Sequence, residues 1–160
     1  MLKKRGEIRT PYESYNRDPH RMGVLGRRLR DQRLPGKERI IGVRSADGTT
    51  AFVEKDVRRA KFVEAQVGSL PVVLVAAGEN TPVLAFNRRV AGRVLSFRLS
   101  GDDSMVIVDA ETDSRWSLAD GRAVSGPLTG SQLVRALAYP AFWFGWQGYF
   151  PGTEIWKQRQ

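Results

Sequence analysis

The chain contains no cysteine, a single histidine and no long apolar run. Without cysteine it forms no disulfides, thiolate zinc sites, iron–sulfur clusters or cysteine nucleophile. The single histidine, His20, leaves any zinc site dependent on carboxylate ligands, and no serine stands in a nucleophile-elbow context. These absences remove most of the patterns that identify an enzyme. An enzymatic function stays open, but no motif supports it.

No secretory leader or transmembrane segment is predicted. Lysine and arginine follow Met1, but Gly6 to Arg9 stands where a leader needs an apolar run. The longest apolar stretch, residues 133–150, is interrupted by Arg135, Pro140 and Gln147. We therefore expect a soluble chain. Its compartment stays unassigned, because a cysteine-free protein suits reducing and oxidising surroundings alike.

Positive charge is concentrated near the N-terminus. The net charge of the 160 residues is +9, and residues 1–44 hold thirteen Lys and Arg against five Asp and Glu. Residues 1–37 have few apolar side chains, with Pro11, Pro19 and Pro35 among them. We predict a basic, partly extended arm over residues 1–37, with one short helix between Arg21 and Leu34. Such an arm favours polyanions, including nucleic acids, as partners.

The remaining chain, residues 38–160, reads as one β-rich domain. Asp47-Gly48 between two alternating apolar segments predicts a β-hairpin. The run from Val72 to Ala76 is typical of a strand buried on both faces. Met105–Val108 and Arg115–Leu118 predict a further hairpin. Strands this short and frequent indicate a mainly β (α+β) fold, an antiparallel open barrel or sandwich.

An aromatic segment ends the chain and predicts one helix at about residues 140–150. Pro140 suits the first turn of a helix, and Phe142, Trp146 and Phe150 then share one face at a spacing of four residues. This spacing favours packing against the core. Phe144 and Tyr149 project elsewhere, and if exposed they are candidates for a surface that contacts a partner.

Four acidic residues suggest a metal site. Asp109, Glu111 and Asp113 alternate, and Asp120 follows at the twelfth position, as in a calcium-binding loop. Ser114, however, occupies the sixth position, where such loops need glycine. The alternative is a polar hairpin turn. Apart from this possible calcium ion, no cofactor is predicted.

Four arginines cluster around another predicted hairpin and form a candidate anion-binding site: Arg88, Arg89, Arg93 and Arg98. Guanidinium groups bind phosphate well, so these residues are compatible with nucleic-acid binding. The alternative is a solvated sheet edge whose charges prevent strand-to-strand aggregation.

An ordered series of segments carries a resemblance to a known family. The segments are Asp31 to Val43, Leu70 to Val73, Ala85 to Arg88, Leu95 to Phe97, Asp109 to Trp116, Gly126 to Gly130, Phe142 to Trp146 and Phe150 to Glu154. Together they resemble the family described as domain of unknown function 3179. The resemblance covers roughly the last three quarters of the chain.

The resemblance implies more about fold than about function. Relatives are typically longer and often exported, and many carry a Cys-Pro-Leu stretch where this chain reads Ala76 to Asn80. It implies no catalytic residue. Our leading hypothesis is a non-enzymatic binding or interaction domain whose partner is a protein or small ligand. The alternatives are nucleic-acid or polyanion binding through the arginines, and a metal-dependent enzyme that uses the acidic loop.

Overall fold

The structure, a computed structural model, describes residues 33–158, and these form thirteen strands and two helices. The predicted arm up to residue 32, with its short helix and His20, lies outside the described residues. The strands are β1 (Arg39–Ser45), β2 (Gly48–Val53), β3 (Phe62–Val67), β4 (Leu70–Val75), β5 (Leu84–Asn87), β6 (Arg89–Val90), β7 (Arg93–Val94), β8 (Phe97–Leu99), β9 (Val106–Asp109), β10 (Arg115–Ser117), β11 (Ala123–Ser125), β12 (Leu137–Phe142) and β13 (Glu154–Trp156). The helices are α1 (Glu54–Ala60) and α2 (Trp143–Tyr149).

The strands form four sheets, with the orders β12-β1-β2-β13, β11-β10-β9-β8, β3-β4-β5 and β6-β7. Neighbouring strands are antiparallel except β13, which runs parallel to β2. The predicted β1–β2 and β9–β10 hairpins form, and at the predicted hairpin of the four arginines the short strands β6 and β7 pair. The mainly β prediction with antiparallel sheets and a C-terminal aromatic helix is confirmed. No sheet built by residues 33–158 closes into a barrel.

Helix α2 packs on one face of the first sheet. It begins at Trp143 rather than near Pro140, so placing Pro140 in the first helical turn was wrong. The indole ring of Trp146 lies against Gly42 so closely that a Cβ there would overlap it. Its Nε1–H donates to the Thr153 hydroxyl at 3.2 Å. The predicted packing of Trp146 in the core is confirmed, and Gly42 makes room for it.

Pro140 lies instead in β12, opposite Ile41 on β1. The N–H of Trp143 donates to the Glu38 carbonyl at 2.9 Å. These two residues flank the cross-strand pair of Arg39 and Phe142, and in an antiparallel sheet a pair flanked by such a bond forms no hydrogen bonds of its own. The pair of Ile41 and Pro140, two residues along, is of the same kind. Proline therefore occupies a position where β1 requires no N–H from it.

Residues just before Glu38 also pack on the domain. The Leu34 side chain is 6% exposed and joins the cluster around Trp143. The Gly36 carbonyl accepts a hydrogen bond from the Phe144 N–H at 3.0 Å. The domain boundary at residue 38 stays a prediction, with these contacts lying on its N-terminal side. Within residues 33–158 no helix is both long and apolar enough to cross a membrane.

Candidate functional site

Asp109 ends β9 and is fully buried, so it belongs to the core rather than to an open loop. Its carboxylate accepts hydrogen bonds from the Thr112 N–H at 2.5 Å, the Thr112 hydroxyl at 2.8 Å and Trp116 Nε1 at 2.8 Å. The Ser114 hydroxyl lies 2.7 Å from Thr112 Oγ1 and accepts from the Leu128 N–H at 2.9 Å. We call residues 109–114 the acidic turn. Its buried carboxylate holds the turn together.

The other three carboxylates have separate partners. Glu111 accepts from the Ser96 N–H at 2.9 Å, Asp113 pairs with Arg98 at 3.1 Å, and Asp120 accepts from the Arg122 N–H at 3.0 Å. In the part of the chain that the structure describes, no group of three or more His, Cys, Asp or Glu is placed to hold a metal ion. The structure does not bring the predicted ligands Asp109, Glu111, Asp113 and Asp120 together. The polar-turn alternative accounts for their contacts.

The predicted anion-binding arginines are divided by the structure. Arg88 lies 3.8 Å from the Glu64 carboxylate and donates to the Leu95 carbonyl at 2.9 Å, and Arg98 pairs with Asp113. Arg89 and Arg93 are exposed and form no ion pair with any described residue. Arg98 lines a groove of about 400 Å³ together with Asp102 and Asp113, whereas Arg89 lines a larger groove of different composition.

That groove has a volume of about 740 Å³ and lies between the end of the first hairpin and the start of β12. Three arginines from distant parts of the chain line it: Arg44, Arg89 and Arg135. Polar side chains that line it are Ser45, Ser69 and Asn87. None of the described residues that line it carries a carboxylate. We call this site the arginine groove.

Aromatic rings, rather than carboxylates, hold two of these arginines. The Arg44 guanidinium lies 4.8 Å from the Phe150 ring centroid, and that of Arg135 lies 5.7 Å from the Phe86 ring centroid. Among residues 33–158 neither guanidinium pairs with a carboxylate. Six other arginines do: Arg39, Arg58, Arg59, Arg88, Arg98 and Arg115. Stacking restricts a guanidinium without cancelling its charge, so the groove keeps a positive potential.

Asp47 is the acidic residue next to the groove wall, and its carboxylate is held within the chain. It accepts from the Ser69 N–H at 2.9 Å and from the Ser45 hydroxyl at 3.0 Å. The hydrogen bond from the Ser69 backbone, followed by that from Ser45, holds the pKa of Asp47 below its ordinary value. Asp47 therefore stays ionised at neutral pH and fixes the loop that carries Ser69.

A second groove, of about 500 Å³, has a different charge balance. It lies beside the end of α1 and is lined by Arg58 and Lys61 together with Glu79, Asp102 and Asp103. The Ser100 hydroxyl, followed by Arg115, lowers the pKa of Asp102, so this carboxylate is ionised at neutral pH. Positive and negative side chains thus share the second groove. The arginine groove alone of these two carries one sign of charge.

The residues suggested for a partner surface differ in exposure. Tyr149 is 59% exposed at the end of α2, which meets the condition for that role. Phe144 is 4% exposed in the cluster around Trp143 and does not meet it. The reason is that residues 34–36 pack over the Phe144 ring, which would lie 3.0 Å from a Cβ at Gly36.

Sequence reasoning missed Arg44 and Arg135 as site residues. They meet because β1 pairs with β12, which places Arg44 directly opposite Leu137 across 93 residues of chain. Arg135 forms an antiparallel bridge with Phe86 in β5. No local pattern announces such long-range pairing. The sequence feature that could have identified the site is Arg135, because it interrupts the apolar stretch 133–150 and has no acidic residue near it in the sequence.

Comparison with protein families agrees with the resemblance noted in the sequence. The family model described as "Protein of unknown function (DUF3179)" matches residues 3–153. Neither curated proteins nor solved structures give a match. Because the matched region covers nearly all of its 160 residues, the chain belongs to the DUF3179 family.

Proposed function

We propose that this protein is a non-enzymatic binding domain that takes an anionic ligand in the arginine groove. The proposal rests on one observation, which is that two of the groove arginines contact aromatic rings and no carboxylate of residues 33–158. Arg44 and Arg135 are positioned by aromatic rings, while six arginines elsewhere in residues 33–158 pair with carboxylates.

The chemistry of the groove suits phosphate or carboxylate groups. A guanidinium presents several N–H donors in a plane and forms paired hydrogen bonds with such anions. Ser45, Ser69 and Asn87 add hydroxyl and amide donors along the same wall. Asn87 Oδ1 already accepts from the Arg89 N–H at 2.8 Å, so its amide NH2 group remains as a donor. An anion bound here would meet donors and none of the carboxylates of residues 33–158.

Inorganic tripolyphosphate is a suitable probe, because it carries several negative charges and no other recognition element. Calorimetric titration at low salt should give saturable binding to the full chain. Replacing Arg44, Arg89 and Arg135 together by Gln should weaken it at least about tenfold, since each charged hydrogen bond contributes about 1.5–3 kcal/mol. Raising the salt concentration should weaken it further.

The N-terminal lysines and arginines also attract polyanions, so the control must remove equal charge elsewhere. Arg93, Arg122 and Lys157 are exposed and line neither groove. Their triple replacement by Gln should change the affinity less than about threefold. Equal losses in the two triple variants, with both folded by circular dichroism, would show that tripolyphosphate responds only to net charge. That result would reject the proposed site.

A further inference from the structure

The arginine groove continues into an exposed apolar strip on β12. Arg44 on β1 and Leu137 on β12 are cross-strand partners, so their side chains lie on the same face of the sheet. Tyr139 is two residues further along β12 and shares that face. Leu137 is 57% exposed and Tyr139 is 45% exposed. A tyrosine ring that solvent reaches thus stands beside a groove of uncompensated positive charge.

The packing of α2 explains why this strip is uncovered. Tyr139 is the cross-strand partner of Gly42, and the Trp146 ring from α2 lies on Gly42. The helix therefore covers the inner strands β1 and β2 and leaves the outer part of β12 open. Phe150, which follows α2, packs against Trp146 with ring centroids 4.3 Å apart. The Arg44 guanidinium lies over the Phe150 ring. One aromatic segment thus both holds Arg44 and bounds the open strip.

The geometry points to a single-stranded nucleic acid as the ligand, with its phosphates on the arginines of the groove and a base stacked on Tyr139. This inference rests on the proposed function and names the ligand class. Proteins that bind single strands combine a basic groove along the backbone with aromatic side chains on which bases stack. The strip and the groove provide these two elements side by side.

Other polyanions use only part of this surface. A nucleic-acid duplex keeps its base faces stacked inside, so Tyr139 would gain nothing from it. An acidic peptide would engage the arginines but has no flat π face for the ring. The excess of positive charge before residue 45, thirteen basic against five acidic residues, would strengthen the binding of any of them and so does not distinguish them.

Fluorescence anisotropy with a labelled oligothymidylate of about twelve nucleotides tests the inference. The comparison ligands are an abasic strand of the same length, a duplex of that length and an oligoglutamate peptide. We expect the oligothymidylate to bind the full chain at least about fivefold more tightly than the abasic strand, because stacking contributes about 1–3 kcal/mol per base.

Tyr139→Ala should remove this advantage and leave tripolyphosphate binding unchanged. Tyr139→Phe keeps the ring and should retain the advantage. Tyr149→Ala, at another exposed tyrosine outside the groove, should have no effect.

The outcomes separate this inference from the proposed function. Suppose that the triple replacement of the groove arginines by Gln, the groove variant, loses tripolyphosphate binding. If the abasic strand, duplex or peptide then binds the unmodified protein as well as the oligothymidylate does, the anion site is supported and the single-strand assignment is wrong. An unchanged preference for bases in folded Tyr139→Ala would also overturn it. If tripolyphosphate does not distinguish the groove variant from its control, the proposed function itself fails.

Discussion

The acidic turn and the arginine groove carry opposite charges, and the fold supplies partners to only one of them. In the acidic turn, backbone N–H groups, a hydroxyl, an indole and a guanidinium contact Asp109, Glu111 and Asp113. In the groove, Arg44 and Arg135 stack on rings and keep their charge. A charge with an internal partner stabilises the fold, whereas a charge that is held but not neutralised remains available to a ligand. Whether a charged group is available to a ligand therefore depends on whether the fold neutralises it, more than on how many charges lie nearby.

Asp109→Ala should have the largest effect and tests the structural role of the acidic turn. The substitution leaves the buried Trp116 indole N–H and the partly buried Thr112 N–H without their acceptor. We expect the free energy of unfolding to fall by about 3–5 kcal/mol in urea titrations. Asp120→Ala, at an exposed position, should cost less than about 1 kcal/mol. Similar small losses in both variants would mean that Asp109 does not hold the turn.

Phe150→Leu tests whether the ring positions Arg44 in the groove. It removes the aromatic face while keeping an apolar side chain in the cluster beside Trp146. Because an exposed cation–π contact contributes about 0.5–1 kcal/mol, the affinity for tripolyphosphate should fall about two- to fivefold. Calorimetry measures this, with Tyr149→Leu as the neighbouring control. An unchanged affinity in folded Phe150→Leu protein would show that the ring does not prepare Arg44 for binding.

Asp47 gives a smaller effect with a defined dependence on pH. Its pKa is lowered in the folded protein, so its ionised form adds stability above the ordinary carboxyl pKa of 3.8, and that stability is lost as the pH falls through the folded value. Wild-type protein should therefore exceed Asp47→Asn in free energy of unfolding at pH 7. The difference should shrink near pH 3, as measured by urea titration. A difference that is equal at both pH values would contradict the lowered pKa.

Calcium should produce the smallest effect of all, because the four acidic residues have separate partners in the structure. An ion that binds only the native state must raise the melting temperature. Because we expect no calcium to bind, millimolar calcium should leave the melting temperature of the protein unchanged within error. A rise in melting temperature that is lost in Glu111→Gln would restore the calcium hypothesis and place a ligand at the acidic turn.

Local patterns predicted the hairpins, and long-range pairing decided the candidate site. Asp47-Gly48 located the β1–β2 hairpin to within one residue, because Gly48 already pairs with Ser45 and the turn itself is Ala46-Asp47. The alternating carboxylates of the acidic turn were suggestive, but the sequence does not show that Asp109 points inward to Trp116. The groove depends on β12 returning to β1 and on Phe86 meeting Arg135. Such contacts arise from tertiary packing, which no short segment encodes alone.

Pro140 has a consequence for self-association. β12 is the outer strand of its sheet, and the backbone of Pro140 faces away from β1, toward the side where another chain would add a strand. An incoming strand needs N–H donors at that edge, and proline supplies none. The sheet edge beside the open strip is therefore a poor template for aggregation, although Leu137 and Tyr139 leave apolar surface exposed there. The domain can thus expose an apolar surface to solvent while the edge of its sheet disfavours strand addition by another chain.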